Sequence, residues 1–394
     1  MVFIRTWLLL LLVIRTGMAS AEFKASGFVA AEARLFTEST QYPEQSNDDA
    51  YSFILQPEFR YEMGAHRITF IPFGRVDSVD DERSHADVRE LNWRVLKPDW
   101  EILVGVNRVF WGVMESRHLV DIINQLDLLD DIDGEEKFGQ PMLQYTSLTD
   151  WGTFDFYVLP GFRERLYPGE KGRLRPALPV DADNAIYESD KENENIDYSF
   201  RYSQILGNWD VGMYYFNGTS REPRFQINAD NSKFIPVYDL IDQYGMDIQY
   251  TGDAWLWKSE ALYRAGQGNS FSALSLGFEY TLYQLLSSRS DLGFLIEYHY
   301  DGRDETAAPT YYDKNVFLGS RLAFNDVQDS SILAGVTFDE NGQDVFYNIE
   351  AERRLGDNFK LDLRARLFAN PKTGSFLSTI SQDDYVQLQL RYYF

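Results

Sequence analysis

Between Val113 and Gly139 the chain gathers residue types that could do chemistry. The stretch SRHLVD brings together Ser116, His118 and Asp121, the composition of a nucleophile, a base and an orienting acid. Such a trio works by geometry, and three neighbours on one loop seldom meet in it. No catalytic role is assigned to them. Further on, DLLDDIDGEEK offers the hard oxygen ligands that calcium takes. Its register is wrong for a calcium-binding loop: with Gly134 as the sixth position, the first is Leu129 and the twelfth Gln140, neither a carboxylate. His66, His85, His118 and His299 are scattered and there is no cysteine, so neither a transition-metal cage nor a disulfide is expected. Glycine-rich nucleotide fingerprints are absent, and no cofactor is expected.

These residues need elements to position them, and the two ends of the chain bound the choice. MVFIRTWLLLLLVIRTGMASA has an early Arg5, an apolar run from Trp7 to Ile14 and the small residues Ala19-Ser20-Ala21. Residues 1–21 read as a cleaved secretory signal peptide, with 22–394 as a single mature domain. Beyond it no apolar run approaches the roughly 20 residues that a membrane-spanning helix needs. Strands that alternate apolar and polar residues escape that test, because half of each strand is polar. The chain is rich in Tyr (25) and Phe (28), which suit strands and membrane interfaces. A net charge of -24 argues against nucleic acid as a partner, which needs a basic footprint.

Period-two alternation predicts an all-β chain of about 18 strands, with 16 as the alternative. They are placed at 27–37, 51–63, 66–77, 85–97, 100–112, 140–149, 152–162, 195–207, 209–219, 244–253, 255–267, 271–286, 290–302, 315–326, 329–340, 343–356, 358–370 and 384–394. Their connections fall into two classes. Tight ones such as Gly64-Ala65, Pro98-Asp99, Gly207-Asn208 and Gly356-Asp357 alternate with a second class that is mostly long and polar, including 113–139, 163–194 and 220–243. Trp100, Trp151, Trp209, Trp255 and Phe359 each follow a tight turn, as an aromatic girdle on one rim would require. Each strand also has two unlike faces. Leu361, Leu363, Ala365 and Leu367 oppose Asp362, Arg364 and Arg366, and Val386, Leu388, Leu390, Tyr392 and Phe394 oppose Gln387, Gln389 and Arg391.

The signal peptide, the alternating strands and the closing LQLRYYF resemble Gram-negative outer-membrane β-barrels of the porin type. VGVNRVFWGVMES is also faintly similar to a segment of porin-like and alginate-export-like barrels. The resemblance implies a transmembrane antiparallel up-and-down barrel in the cell outer membrane, with short periplasmic turns and long extracellular loops. It implies that Phe394 belongs to the signal read by the barrel-assembly machinery, and that outer-membrane lipids and lipopolysaccharide surround the chain. A barrel of 16 to 18 strands encloses a water-filled lumen unless something plugs it. The expected function is therefore passive diffusion of small hydrophilic solutes or ions, without enzymatic activity.

The loop 113–139 is the expected constriction. Leu119, Ile122, Ile123, Leu126 and Leu129 have helical spacing, with Asp121, Asp127, Asp130, Asp131 and Asp133 among them. Facing wall candidates are Arg60, Arg94, Arg364, Arg366 and Arg391, accompanied by Glu58 and Glu350, a set that places a field across a pore. Pairing of these charges with one another is the competing reading. An outer-membrane phospholipase or protease, and a surface-binding or structural barrel, stay open as alternatives, as does homo-oligomerisation.

Overall fold

The computed structural model describes residues 21–394, so the expected signal peptide, apart from Ala21, lies outside the described residues. Strands with one apolar and one charged face need two different surroundings, and closing the sheet supplies them. Eighteen antiparallel strands form one sheet, each paired with its neighbours in the sequence. The first, Ala21–Phe36, pairs with the last, Tyr385–Tyr393, in a register running from Phe28↔Tyr393 to Phe36↔Tyr385. That pairing closes the barrel. The strand Gln140–Thr149, where alternation is weakest, forms between Trp100–Asn107 and Gly152–Pro160 and fixes the count at eighteen.

Burial follows the alternation. On the second strand, Ala50–Met63, Phe53 is 55% exposed while Ile54 beside it is 2% exposed. Large apolar side chains including Leu91, Trp93, Tyr145, Phe156, Tyr198, Trp257, Phe294, Leu363 and Leu390 cover the outer surface, whereas Glu32, Arg34, Arg75, Arg89, Glu260, Glu297 and Arg366 are buried inside. Trp151, Trp209, Trp255 and Phe359 stand exposed just beyond their tight turns, and Trp100 is half-buried in the same position. Gly207, at φ +65°, supplies the left-handed residue that one of these turns needs.

The long connections hold structure of their own. Arg224–Ile227, Phe234–Tyr238 and Ile186–Tyr187 make a three-stranded sheet over the long-loop rim. The tenth barrel strand therefore starts earlier than expected, at Leu240, straight after Tyr238 and Asp239. The only α-helical turn among the described residues is Phe376–Thr379, capped by Ser375, whose side chain accepts from the Ser378 amide.

Two expectations about the third long loop are corrected. The fifth strand ends at Asn107, five positions before Gly112, so the connection spans 108–139. No helix forms in it. Its apolar residues pack in opposite directions: Leu119 with Leu262 and Phe271, but Val120, Ile122 and Ile123 with Leu103, Met142, Tyr157 and Phe216. An irregular chain touches both groups, where a helix would present one stripe to one wall.

Candidate functional site

The loop 108–139 leaves the wall and hangs across the lumen. Its first half is held through its backbone. On the eleventh strand, Trp255–Ala265, the Glu260 carboxylate accepts from the amides of Val113 (2.6 Å), Met114 (2.9 Å) and Val120 (3.2 Å). On the thirteenth, Asp291–Asp301, Glu297 accepts from the amides of Glu115 (2.8 Å) and Ser116 (2.9 Å) and from the Ser116 hydroxyl (2.6 Å). Buried amides left without acceptors are costly, so these two carboxylates determine where the chain can run. Gly112, at φ +104°, lies so close that a Cβ there would meet Glu260 Oε1 at 2.7 Å.

The second half is held through its side chains. Leu126 bridges Lys137, and the Asp127 amide donates to the Glu136 carbonyl (2.8 Å), closing 127–136 into a lobe. Its carboxylates meet a wall of guanidiniums. Arg89 donates to Asp127 (2.5 Å), and Arg75 pairs with Asp130. Arg364 (2.7 Å), Arg366 (2.8 Å) and the Tyr385 hydroxyl (3.0 Å) all donate to Asp131, and Arg366 also reaches Asp133 (3.0 Å). Arg34 donates to the Asp130 carbonyl (2.8 Å) and Arg83 to that of Leu129 (2.9 Å). Arg83 is fixed in turn by Glu32 and Asp77, each at 2.6 Å.

Electrostatics divides these carboxylates. Burial alone would raise Asp131, but Arg366, Arg364 and Arg34 overcome it and hold the carboxyl well below its usual range. Asp127, also buried, is pulled down to about 2 by His85 and Arg89. Asp133 goes the other way: burial, with the Asp131 charge beside it, pushes it up to about 7. Lys137 pairs with Asp121 in the lobe's stem, where burial lowers the ammonium and raises the acid.

The structure joins some of the expected residues and separates others. Asp131, Asp133, Arg364, Arg366 and Glu350 meet in one cluster, with Arg366 donating to Glu350 at 2.8 Å. Arg60, Arg94 and Arg391 do not face the loop's aspartates. They pair along the wall with Glu58 (2.6 Å), Glu101 (3.6 Å) and Asp362 (3.4 Å). Ser116, His118 and Asp121 each take a different partner. His118 bonds Glu135 (3.0 Å), Asp121 bonds Lys137, and Ser116 lies against Glu297 and His299 Nε2 (2.8 Å). His299 Nδ1 is bonded to Ser275 Oγ (2.8 Å). The Ser116 proton points at Glu297 and the neighbouring amides are occupied, so this serine–histidine contact is built as an anchor.

Sequence reasoning missed Arg34, Arg75, Arg83, Arg89, Glu260 and Glu297. A signal was present for some of them: Glu32 with Arg34, Arg75 with Asp77, and Asp87 with Arg89 put opposite charges two apart on one inward face.

With the loop seated, space of about 490 Å³ stays against Arg201, Asp210 and Asp247 on one wall, and two smaller chambers lie along the opposite one. A chamber of about 160 Å³ is bounded by Glu115, Asp133 and Glu135 of the loop and by Phe346, Glu350 and Phe368 of the wall. A second of about 240 Å³ lies against Arg321, Glu352, Asp362 and Arg364. Both are lined by Glu115, Leu333 and Glu350. Together they follow the strands Lys314–Ala323, Ser331–Asp339, Val345–Leu355 and Phe359–Ala369.

No family model and no curated protein matches this chain. Among solved structures it is similar to Pseudomonas aeruginosa OccK11 (OpdR), at 11% identity over 95% of this chain and 96% of that one, with a TM-score of 0.53. It is similar also to Pseudomonas aeruginosa OccK5 (OpdH), at 11% identity over 95% and 98%, with a TM-score of 0.52. A mutant of Rh. blastica porin aligns at 12% identity over 95% and 100%, with a TM-score of 0.46. At these identities the likeness is one of fold.

Proposed function

We propose that this porin-type barrel is an outer-membrane channel for passive diffusion of small hydrophilic solutes or ions, narrowed by the loop 108–139. The observation that carries the reading is the loop itself, hung inside a closed barrel by buried ion pairs with space left between it and the wall. The surroundings agree with it. An apolar outer surface with aromatics along the short-turn rim suits lipid, and a charged interior suits water. In this orientation the short turns are periplasmic and the three-stranded sheet lies outside the cell. Phe394, exposed and with its amide donating to the Gly27 carbonyl (3.1 Å), keeps the assembly role that the resemblance implies. Arg364 and Arg366 are occupied by loop aspartates, Arg60, Arg94 and Arg391 by wall carboxylates and Arg321 by Glu115, so the boundary shared by the two chambers carries Glu115 and Glu350 with no free cation beside them among the described residues. The channel therefore prefers cations.

Planar-bilayer recording on the refolded chain tests this. Small ohmic steps with a cation-selective reversal potential are expected, and deleting 119–136 should raise the conductance several-fold. Silence from folded, heat-modifiable protein would overturn the channel in favour of a structural or surface-binding barrel. Unchanged conductance in the deletion would overturn the constriction.

A further inference from the structure

The chamber of about 160 Å³ joins two features that a plain ion passage does not need. Part of its lining is aromatic: Phe346 and Phe368 stack with centroids 5.5 Å apart and planes 8° from parallel, and Tyr312 lines the same space. The rest is acidic, with Glu115, Asp133 and Glu135 from the loop and Glu350 from the wall on its boundary and no Lys, Arg or His among the lining residues. The cations stand behind the acids. Arg366, with a fully buried side chain, is shared by Asp131, Asp133 and Glu350, and Arg364 reaches Asp131 (2.7 Å) and Asp133 (3.9 Å). Two guanidiniums thus serve three carboxylates, which leaves one negative charge over when Asp133 is ionised; Glu115, also on the void, has Arg321 as its partner.

The size is also informative. A dry cavity of about 150 Å³ accepts a benzene ring, and this chamber measures about 160 Å³. A compact metal ion is less well served, because among the described residues no group of three His, Asp or Glu converges as a cage. A flat apolar body against stacked rings, with an ammonium reaching the carboxylates, uses both parts of the lining at once.

The geometry points to a binding site for a small arylalkyl ammonium ion in this chamber, a substrate class that rests on the channel reading above. Asp133, pushed up to about 7 by burial and the Asp131 charge, holds a proton there in mild acid. Around it are Asp131, Glu115, Glu135 and Glu350 as acids, Arg364 and Arg366 as fixed cations, and Tyr311 and Tyr312; His118 stands behind Glu135 and Arg321 behind Glu115. The ligand's ammonium competes with that proton.

The test is isothermal titration of the detergent-purified chain with phenethylammonium, phenylacetate and methylammonium, alongside bilayer recording of the same preparation. Phenethylammonium should bind at pH 8, about tenfold more weakly at pH 6, where one proton competes one unit below the Asp133 value. Phenylacetate should not bind, and methylammonium should bind at least tenfold more weakly. Asp133→Asn and Glu115→Gln should each weaken phenethylammonium at least tenfold, and Glu340→Gln, on the exposed rim, should leave it unchanged. Equal binding of phenylacetate, equal binding of methylammonium, or full affinity in both Asp133→Asn and Glu115→Gln overturns the site. No binding by a preparation that conducts removes this site and keeps the channel. Binding by one that does not conduct keeps the site and removes the channel.

Discussion

Arg366 donates to Asp131, Asp133, Glu350 and Asn348, with its side chain closed off from solvent. Replacing it with Met leaves Asp131 buried with Arg364 as its remaining close guanidinium. Removing one partner of a buried ion cluster typically costs about 3–5 kcal/mol. Arg366→Met should therefore lower thermal stability by about that amount, and it should raise conductance as the lobe detaches. Arg366→Lys should not restore either, because one ammonium cannot reproduce the planar fork. His118 gives a pH signature. Burial would lower it, but the Glu135 hydrogen bond and charge raise it to about 9. A group raised above its free value of about 6.5 contributes fully below that pH, and its contribution fades as pH climbs through about 9. Amide exchange in 118–137 should speed up over that window beyond its intrinsic rise, and His118→Ala should remove the excess. The effect is small, since Glu135 is largely exposed and screened. The acidic loop and inward Arg364 and Arg366 were legible from residue type and strand face. Glu260 and Glu297 were not, because an inward glutamate that will cap a distant backbone looks the same in sequence as one that will pair with an arginine.

At the scale of elements, alternation was a sound guide wherever neighbouring strands confirmed it. Even the poorly alternating Gln140–Thr149 was placed correctly, because hydrogen bonds on both sides hold it in register. Spacing misled in the loop, where Leu119, Ile122 and Ile123 mimic a helical stripe but serve two walls. The early end of the fifth strand has a related origin, since the Val109 and Trp111 amides leave the sheet ladder for the side chains of Asn124 and Asp121 in the loop itself. Glu260→Ala strands three amides at once. Each unsatisfied buried group costs about 1–3 kcal/mol, and solvent reaching the loosened loop recovers part of that. A net loss on the order of 3 kcal/mol is expected. Exchange at Val113, Met114 and Val120 should rise by orders of magnitude while the barrel strands keep their protection.

The whole molecule sorts its charge by surroundings, with ion pairs inside the barrel and on its loops and apolar residues around the outside. Trp151, Trp209 and Trp255 are exposed on that outside, each next to a short turn. Retaining one tryptophan at a time in brominated lipid should show shallow quenching at these three and deeper quenching at Trp93 or Trp257; equal depth throughout would contradict a girdle. The bonds that hang the loop join Glu260 to Val113, Glu297 to Glu115 and Arg366 to Asp131, sequence separations of 147, 182 and 235. A segment made early therefore waits for partners made late. Contacts of such range form slowly, because closing them across a flexible chain has an entropic cost that grows with the logarithm of its length, and fixing the strands between removes most of that cost. The order of folding expected from this is a wall completed first and a loop seated within it afterwards.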